Sequence, residues 1–303
     1  MKNFIKYYYG LDVDCIINDK KKYIVECGQD KYIFKICSNL DSINNYHKLV
    51  KNEMDLGQFF RIIPNKWGNL VSYVNNIPYV LSKISILHDR KITLTDINSG
   101  LYLSKSLLYE ISSPSWNDLW ANKIDILEDW LYEKRERYSK YAAIFNYYIG
   151  FSENALQYLN EIESVNNSNS NVGLAIQHYR LSLNSSLYDY FDFTNVVFDN
   201  RIRDVSEYVK SCFLNNLCDY ESILNYFCDN RFTKYELQLL YARLLLPTFF
   251  YDYIENLFEN GEDKNFETFN SFINNYERHL IRFSHLLFNR YKILIPSWIL
   301  KKT

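Results

Sequence analysis

Alternating apolar and polar positions run through the first 84 residues and predict a small β-rich lobe. Residues 23–26 and 31–36 are rich in β-branched and aromatic side chains, and the Cys27-Gly28-Gln29-Asp30 sequence between them is typical of a hairpin turn. An earlier strand is expected over residues 13–17. A second hairpin is expected over residues 70–74 and 77–84, with Asn75-Asn76 as its turn.

Between the two hairpins the apolar period changes from two to about 3.6. Residues 43–60 carry apolar side chains at helical spacing, and Asp41 or Ser42 is suited to cap the helix. The predicted order is strand, strand, strand, helix, strand, strand, and residues 1–85 are predicted to form one lobe. That order is typical of a protein-kinase N-lobe, in which a lysine of the third strand meets a glutamate of the helix. Lys35 and Glu53 are the candidates for this pair.

From residue 96 onward the apolar period is helical, and residues 86–303 are predicted to form a larger, mainly helical lobe. Trp116, Trp120 and Trp130 fall on one stripe of a helix, which is more typical of core packing than of a ligand site. Residues 163–173 have low complexity and are predicted to form a surface loop. The predicted helices are 96–111, 115–131, 141–148, 152–162, 220–228, 234–245, 248–258 and 266–291.

Two short apolar segments interrupt the helical half. Residues 172–176 lead into His178, residues 195–198 lead into Asp199, and an acidic helix starts near Asp204. A strand, a loop, a second strand and a helix in this order are typical of the phosphoryl-transfer centre of a kinase-like fold. In that centre the loop carries a base Asp and a metal-binding Asn, and the second strand carries a metal-binding Asp.

Composition and charge exclude several classes of function. The net charge of −2 gives no electrostatic basis for a nucleic-acid partner. No run of about 18 apolar residues is present, and residues 4–9 are too short and too polar for a secretory signal, so no membrane partner is expected. The six cysteines include no Cys-x-x-Cys pair, which favours reduced core residues over a metal site or disulfides.

Motifs along nearly the whole chain resemble those of spore-coat kinase-like proteins of the YutH type, within the CotS group. The motifs are Trp116-x-x-x-Trp120-x-x-Lys123-Ile124-Asp125-x-Leu127-Glu128, His178-Tyr179-Arg180-Leu181, Val197-Phe198-Asp199, Arg203-Asp204-Val205-Ser206-Glu207-Tyr208 and Leu239-Leu240-Tyr241-Ala242-Arg243-Leu244-Leu245-x-Pro247. The resemblance implies an α+β, two-lobed protein-kinase-like fold that aminoglycoside and choline phosphotransferases share. It also implies synthesis in the mother cell of a sporulating bacterium and deposition in the spore coat, with other coat proteins as partners.

The resemblance further implies a degenerate catalytic loop. Active phosphotransferases carry His-Gly-Asp, an Asn five residues later, and a strand that ends in Asp. Here His178 matches, Arg180 replaces the base Asp, and Ser185 replaces the metal-binding Asn, with Asn184 one place early. The remaining positions are Tyr179 for the Gly, Asp199 for the metal-binding Asp and Asp204 for a later structural Asp.

The chemistry of Arg180 predicts that the site is inactive. A guanidinium cannot accept the proton of a substrate hydroxyl, and a positioned base is worth roughly 10²–10⁴-fold in rate. Next to Asp199, Arg180 is expected to pair with that carboxylate and to take the place of the metal. The turn over residues 18–22 also lacks a glycine that would bring backbone N–H groups close to phosphates.

Structural roles are expected for the remaining polar residues of the loop. His178 is expected to hydrogen-bond to the backbone, and Asp204 is expected to cap the helix that follows. Asp199 remains open between a residual cation site and a salt bridge. Its candidate partners in a salt bridge are Arg180, Arg201 and Arg203.

Three hypotheses follow. The first is a pseudokinase that acts as a structural component, with no cofactor and with its many tyrosines available for assembly. The second is an unorthodox phosphotransferase that uses Asp199 together with Asp192 or Asp189. The third is a nucleotide or metabolite sensor that keeps the interlobe cleft. Mg-ATP is a cofactor only under the alternatives, with Lys35 and Glu53 at the nucleotide and Asp199 at the metal.

Overall fold

The computed structural model describes residues 1–19, 22–37, 43, 61–84, 88–97, 115–134, 136, 139–166, 174–192, 195–260 and 266–301. The chain divides into two compact units. Unit 1 comprises Met1–Ile92 and Asn184–Val197, and unit 2 comprises Thr93–Leu183 and Phe198–Thr303. The sequence-based division after residue 85 stays a prediction. Most of the helices predicted over residues 43–60 and 96–111 lies outside the described residues.

Unit 1 is built on a six-stranded antiparallel sheet. Its elements are α1 (Lys2–Tyr9), β1 (Cys15–Asp19), β2 (Lys22–Cys27), β3 (Asp30–Ile36), β4 (Arg61–Ile62), β5 (Ser72–Val74), β6 (Ile77–Lys83) and the short helix α4 (Leu187–Tyr190). The strand order is β1-β2-β3-β6-β4, and β5 pairs with β6. The helix α1 is absent from the sequence-based prediction, since only Ile5 of its eight residues is buried.

Both predicted hairpins are present, because their turn residues tolerate left-handed backbone conformations. Gly28 has φ 59° in the turn between β2 and β3, and its N–H donates to Asp14 Oδ2 at 2.6 Å. Asn75 and Asn76 have φ 50° and 64° in the turn between β5 and β6. Positive φ at both central residues is what a two-residue hairpin turn requires.

The two faces of the sheet have different environments. On one face Ile5 of α1 packs with Val25, Phe34 and Leu81, which are all fully buried. Side chains alternate along a strand, so residues one position away lie on the other face. The register pairs Lys22 with Lys35 and Ile24 with Ile33, and these side chains therefore lie on that second face.

Unit 2 is mainly helical. Its helices are α2 (Trp116–Lys134), α3 (Ala142–Asn166), α5 (Arg203–Leu214), α6 (Tyr220–Asp229), α7 (Lys234–Leu245), α8 (Thr248–Asn260), α9 (Phe266–Tyr291) and α10 (Ser297–Leu300). The strands β7 (Leu174–His178) and β8 (Val196–Asn200) form a two-stranded sheet. Among the described helices, none is long and apolar enough to cross a membrane. A β-sheet region followed by a mostly helical part confirms the predicted α+β class.

The core of unit 2 is organised around α7. Every residue of α7 from Glu236 to Leu245 is buried, and the helix contacts α3, α5 and α9. Tyr241 is fully buried, and its hydroxyl forms a 2.8 Å hydrogen bond with Ser284 in α9. Burial on all sides explains why the apolar residues of α7 do not follow a single stripe.

The helix α3 corrects two sequence-based predictions. Residues 141–148 and 152–162 are not separate helices, and residues 163–166 are helical rather than part of a loop. Gly150 lies inside this single helix, where glycine costs about 1 kcal/mol relative to alanine. Buried packing of Tyr148, Phe151 and Ala155 on either side of Gly150 offsets that cost.

The predicted packing role of the tryptophan stripe is confirmed at its first two members. Trp116 and Trp120 are buried, and their rings stack 5.7 Å apart. Trp130 packs edge-on against Phe258 of α8, with ring centroids 5.5 Å apart. Leu119, in contrast, is 42% exposed and lies away from the core.

The cysteine prediction is correct for some positions only. Cys37 and Cys212 are buried, whereas Cys15 and Cys228 are exposed and are not core residues. All six cysteines are free thiols.

Candidate functional site

The loop after β7 is fixed by a hydrogen-bonded pair between His178 and Asp204. The backbone N–H of His178 donates to Asp204 Oδ1 at 2.8 Å, and His178 Nδ1 lies 2.6 Å from Asp204 Oδ2. Both side chains are only 1% exposed. Since Asp204 is the second residue of α5, this pair joins the end of β7 to the start of that helix.

One sequence-based prediction about this pair is wrong. Asp204 does not cap α5, because the N-cap residue is Ile202 and the Asp204 carboxylate accepts hydrogen bonds from His178 instead. The His178 side chain bonds to the Asp204 carboxylate through Nδ1, and its predicted hydrogen bond to the backbone stays a prediction. A backbone group of His178 is also bonded, because its carbonyl accepts from Arg203 Nε at 2.8 Å. The assignment of Asp204 as a structural aspartate already pointed to a role of this kind.

Asp199 lies on β8 and is only 5% exposed. Its Oδ2 accepts from Arg203 Nη1 at 2.6 Å, and its Oδ1 accepts from Trp116 Nε1 at 2.9 Å and from the backbone N–H of Asn200 at 2.7 Å. Of the two alternatives left open by the sequence, the structure therefore contains the salt bridge, and Arg203 is the partner.

These donors determine what the Asp199 carboxylate can do chemically. A divalent cation binds oxygen ligands directly, so it would have to displace a guanidinium, an indole N–H or a backbone N–H from a buried group. Within the described residues, no group of three or more His, Cys, Asp or Glu side chains is placed to hold a metal ion. The assignment of Asp199 as a metal ligand stays a prediction.

Arg180 does not pair with Asp199, contrary to the sequence-based expectation. Its Nη2 donates to Asp252 Oδ1 of α8 at 2.9 Å, and both side chains are about half exposed, at 48% and 47%. The physical reason is the position of Arg203 four residues after Asp199, where it provides the guanidinium that Asp199 requires. Arg180 thus stands on the surface of unit 2 as a paired cation.

Lys35, in unit 1, pairs with a carboxylate that the sequence did not predict as its partner. Its Nζ lies 2.6 Å from Asp192 Oδ2, and the Asp192 side chain is 5% exposed. Glu53 lies outside the described residues, so the predicted pair of Lys35 with Glu53 stays a prediction.

The neighbouring loop residues of unit 1 are bound in a similar way. Lys22 Nζ donates to Asp189 Oδ1 at 2.9 Å. Burial acts to raise the pKa of Asp189, but hydrogen bonds from Lys22 and Ser186 outweigh it and lower the pKa. Ser185, at the position of the metal-binding Asn, accepts a hydrogen bond from the Ile92 N–H through its carbonyl at 2.9 Å.

Behind Asp199, unit 2 contains a buried ionic cluster that the sequence did not reveal. Glu207 accepts from Arg243 Nη2 at 2.9 Å and lies 3.5 Å from Lys210 Nζ. The Arg243 guanidinium carbon stands 4.8 Å from the centre of the Trp116 ring, whose N–H donates to Asp199. A sequence signal for the cluster is Arg243 itself, a charged residue inside the apolar run of α7.

The protonation of this cluster reflects burial and charge together. Burial opposes ionisation of Glu207, but Lys210 and Arg243 outweigh it and hold the pKa of Glu207 well below its usual range. Burial lowers the pKa of Lys210 to about 7, and the positive charge of Arg243 adds to this effect, while Glu207 opposes it.

Solved structures define the class of the fold. An aminoglycoside phosphotransferase from Alicyclobacillus acidocaldarius superposes with a TM-score of 0.67 at 10% identity, over 95% of this chain and 96% of that one. A spectinomycin phosphotransferase, solved with ADP and spectinomycin, superposes with a TM-score of 0.57 at 12% identity, over 90% of this chain and 92% of that one. The chain therefore has the kinase-like fold of phosphotransferases.

Within that class, the chain belongs to the family described as spore coat putative kinase YutH, whose model matches residues 2–287. The endospore coat-associated protein YutH of Bacillus subtilis (strain 168) is 30% identical over 165 residues, which cover 49% of this chain and 48% of that protein. The match thus spans about half the length of this curated relative. The predicted family and fold are both confirmed.

We expect the Asp199→Asn variant to lose about 3 kcal/mol of the free energy of unfolding, because it leaves the guanidinium of Arg203, which is only 15% exposed, without a charged partner. Chemical denaturation of wild type and variant measures this loss. The matched control is Asp252→Asn, which breaks the exposed pair with Arg180 and should cost less than about 1 kcal/mol. Equal effects of the two variants would show that the buried pair is not structural.

The Lys210→Met variant should remove a pH dependence of stability. Between about pH 7 and the ordinary lysine pKa of 10.5, Lys210 is deprotonated when folded and protonated when unfolded. The unfolded state then binds more protons, so the free energy of unfolding rises with pH by at most about 1.4 kcal/mol per unit. Below about pH 7 both states are protonated and this contribution to the slope disappears.

Urea unfolding at pH 7, 8 and 9 measures the difference between wild type and Lys210→Met, which should grow in favour of wild type as the pH rises. Lys234→Met is the control, since Lys234 is exposed, and its profile should run parallel to wild type. A difference between wild type and Lys210→Met that stays constant with pH would contradict the titration of Lys210 in this range.

Proposed function

We propose that the chain is a catalytically inactive kinase-like protein, a pseudokinase, that acts as a structural component of a bacterial spore coat. The observation that carries the proposal is the guanidinium of Arg180 at the position of the catalytic base, where it is bound to Asp252. An arginine side chain cannot accept a proton from a hydroxyl substrate at any physiological pH. The arginine at this position therefore removes the proton acceptor itself, and does not merely displace it.

The environment of Asp199 supports the same proposal. Its carboxylate accepts hydrogen bonds from Arg203, Trp116 and Asn200, so its charge is already neutralised by the protein. Phosphoryl transfer depends on metal ions that neutralise the charge of the phosphates. A carboxylate that serves as a buried structural group is poorly suited to hold such an ion.

The proposed structural role is supported by the family and by the exposed aromatic residues. The related Bacillus protein is described as endospore coat-associated, and other coat proteins are accordingly the proposed partners. Large apolar side chains that stand in solvent include Tyr7, Trp67, Tyr73 and Tyr132, with exposures of 62%, 57%, 52% and 73%. Aromatic side chains are enriched at protein interfaces, because they combine a large apolar area with a polar tip.

The alternatives, a phosphotransferase or a nucleotide sensor, have less support. Asp192 and Asp189 were the candidate replacement carboxylates, and each of them is bound to a lysine ammonium. For Asp189, hydrogen bonds from Lys22 and Ser186 lower the pKa, which makes this carboxylate a weaker base. Mg-ATP would be the cofactor only under these alternatives.

The purified chain should show no binding of Mg-ATP up to about 1 mM in isothermal titration calorimetry, because both the base position and the metal position are occupied by ion pairs. An aminoglycoside phosphotransferase serves as the positive control in the same buffer. Binding of Mg-ATP in the micromolar range, together with phosphate release that Asp199→Ala abolishes, would overturn the inactive assignment.

Deposition in the coat should not require phosphoryl transfer. We expect a fluorescent fusion of the chain, produced in a sporulating Bacillus host, to collect at the spore surface, and the Lys35→Met variant to collect there equally. A kinase whose reaction drives deposition would depend on this lysine. A folded Lys35→Met variant that stays dispersed in the mother cell would argue against the structural role.

A further inference from the structure

One side of α9 presents two exposed arginines, Arg278 and Arg282, which lie one helical turn apart. Arg278 Nη2 donates to the side-chain oxygens of Asn216 at 2.9 Å and of Asn275 at 3.0 Å. The guanidinium carbon of Arg282 lies 4.9 Å from the centre of the Tyr220 ring. Within the described residues, neither arginine has a carboxylate partner. The neutral groups therefore orient the two guanidiniums but leave their positive charges uncompensated.

A short loop places an apolar side chain beside these arginines. Asn216, which accepts from Arg278, has a left-handed backbone conformation with φ 56°. Leu217 follows it, is 63% exposed, and its backbone N–H donates to a carbonyl of α5 at 3.0 Å. We name Leu217, Arg278 and Arg282 the cationic face. It combines one exposed apolar side chain with two positive charges on a hydrogen-bonded backbone.

A groove of complementary composition lies between α2 and α3 of the same unit, with a volume of about 360 Å³. Its lining combines three apolar side chains with three carboxylates, namely Ala121, Ile124, Leu156, Asp125, Glu128 and Glu153. The apolar members are buried or half-buried, and the three carboxylates are exposed. In the part of the chain that the structure describes, none of these carboxylates has a cationic partner. The α2–α3 groove thus offers an apolar lining and three uncompensated negative charges.

The cationic face and the α2–α3 groove do not meet within one copy of the chain. The helices α3 and α9 contact each other through Tyr148, whose hydroxyl donates to Glu277 at 3.0 Å. The groove lies on the side of α3 that faces α2, and the arginines lie on the side of α9 that faces α6. The charges of the two surfaces can therefore be paired only between copies.

The overall charge of the chain does not oppose such pairing. The chain has 34 Lys and Arg residues against 36 Asp and Glu residues, which gives a net charge of −2. A net charge near zero promotes association between copies of a protein. A second copy is therefore a partner that carries the matching surface and is not repelled.

We propose that the cationic face of one copy binds in the α2–α3 groove of a second copy. The guanidiniums pair with the groove carboxylates, and Leu217 packs against the apolar lining. Arginine suits this role because its planar fork can donate two parallel hydrogen bonds to one carboxylate. Since the two surfaces differ, the interface is heterologous and builds head-to-tail rings or filaments rather than two-fold dimers. The association belongs to the purified chain alone, so its test is separate from the tests of the inactive site and of the coat role.

Sedimentation velocity of the full-length chain over a range of concentrations measures the association. In about 20 mM salt the wild type should form species larger than a monomer, and in about 0.5 M salt it should be monomeric, because ions screen exposed charges. Arg278→Glu/Arg282→Glu should weaken the association at least about ten-fold, since it places carboxylates opposite carboxylates. A wild type that is monomeric in low salt at every concentration would overturn the proposal.

The matched control is Lys234→Glu/Lys301→Glu, since both lysines are exposed and lie outside the two surfaces. Each replacement of a cation by glutamate changes the charge by −2, so this variant and the arginine variant both shift the net charge from −2 to −6. The control should associate as the wild type does. Equal weakening by the control would assign the effect to net charge and would contradict the cationic face.

A charge exchange identifies the groove as the partner surface. Glu128→Arg/Glu153→Arg should be monomeric alone, because it places cations opposite cations. An equimolar mixture with Arg278→Glu/Arg282→Glu should associate again, since each reversed surface then meets a surface of opposite charge. A mixture that stays monomeric would refute the pairing of these two surfaces. A groove variant that associates like wild type would do the same, and would assign the arginines to another acidic surface.

Discussion

The buried carboxylate of Asp199 is the group on which the arrangement of the loop region in unit 2 depends. A charge out of water is costly unless it is paired and hydrogen-bonded, and Asp199 obtains its partners from three places in the chain. Arg203 opens α5, Trp116 opens α2, and Asn200 follows on β8. The hydrogen bonds to this one carboxylate therefore hold α2 and α5 against β8. Asp199 is thus a structural joint between the two helices and the strand.

Charge balance extends from this joint into the interior. Trp116 contacts Asp199 through its N–H and Arg243 through its ring, and Arg243 in turn binds Glu207. A buried ion pair is often no more stabilising than apolar residues of the same volume, yet removing one partner is strongly destabilising. Each member of such a chain of contacts depends on the others.

Elements that depend on residues close together in the sequence, such as turns and helices, were predicted from the sequence. Gly28 and the Asn75-Asn76 turn specify their hairpins, and the helical period of residues 266–291 matches α9 from end to end. The partners of charged groups were not predictable in the same way. Arg180 binds a carboxylate 72 residues away, and Lys35 binds one 157 residues away. Any of several acidic residues could chemically pair with Arg180 or with Lys35. Which of them does so depends on the tertiary packing of the chain.

Arg180 and Lys35 are both paired with carboxylates of the chain itself. In a working kinase the third-strand lysine is itself paired with a glutamate. In this chain Asp192 pairs with Lys35, and Asp252 pairs with Arg180. These ion pairs stabilise the chain in the absence of a ligand, because each cation already has an anionic partner within the protein. A ligand anion would therefore have to compete with Asp252 for Arg180 and with Asp192 for Lys35.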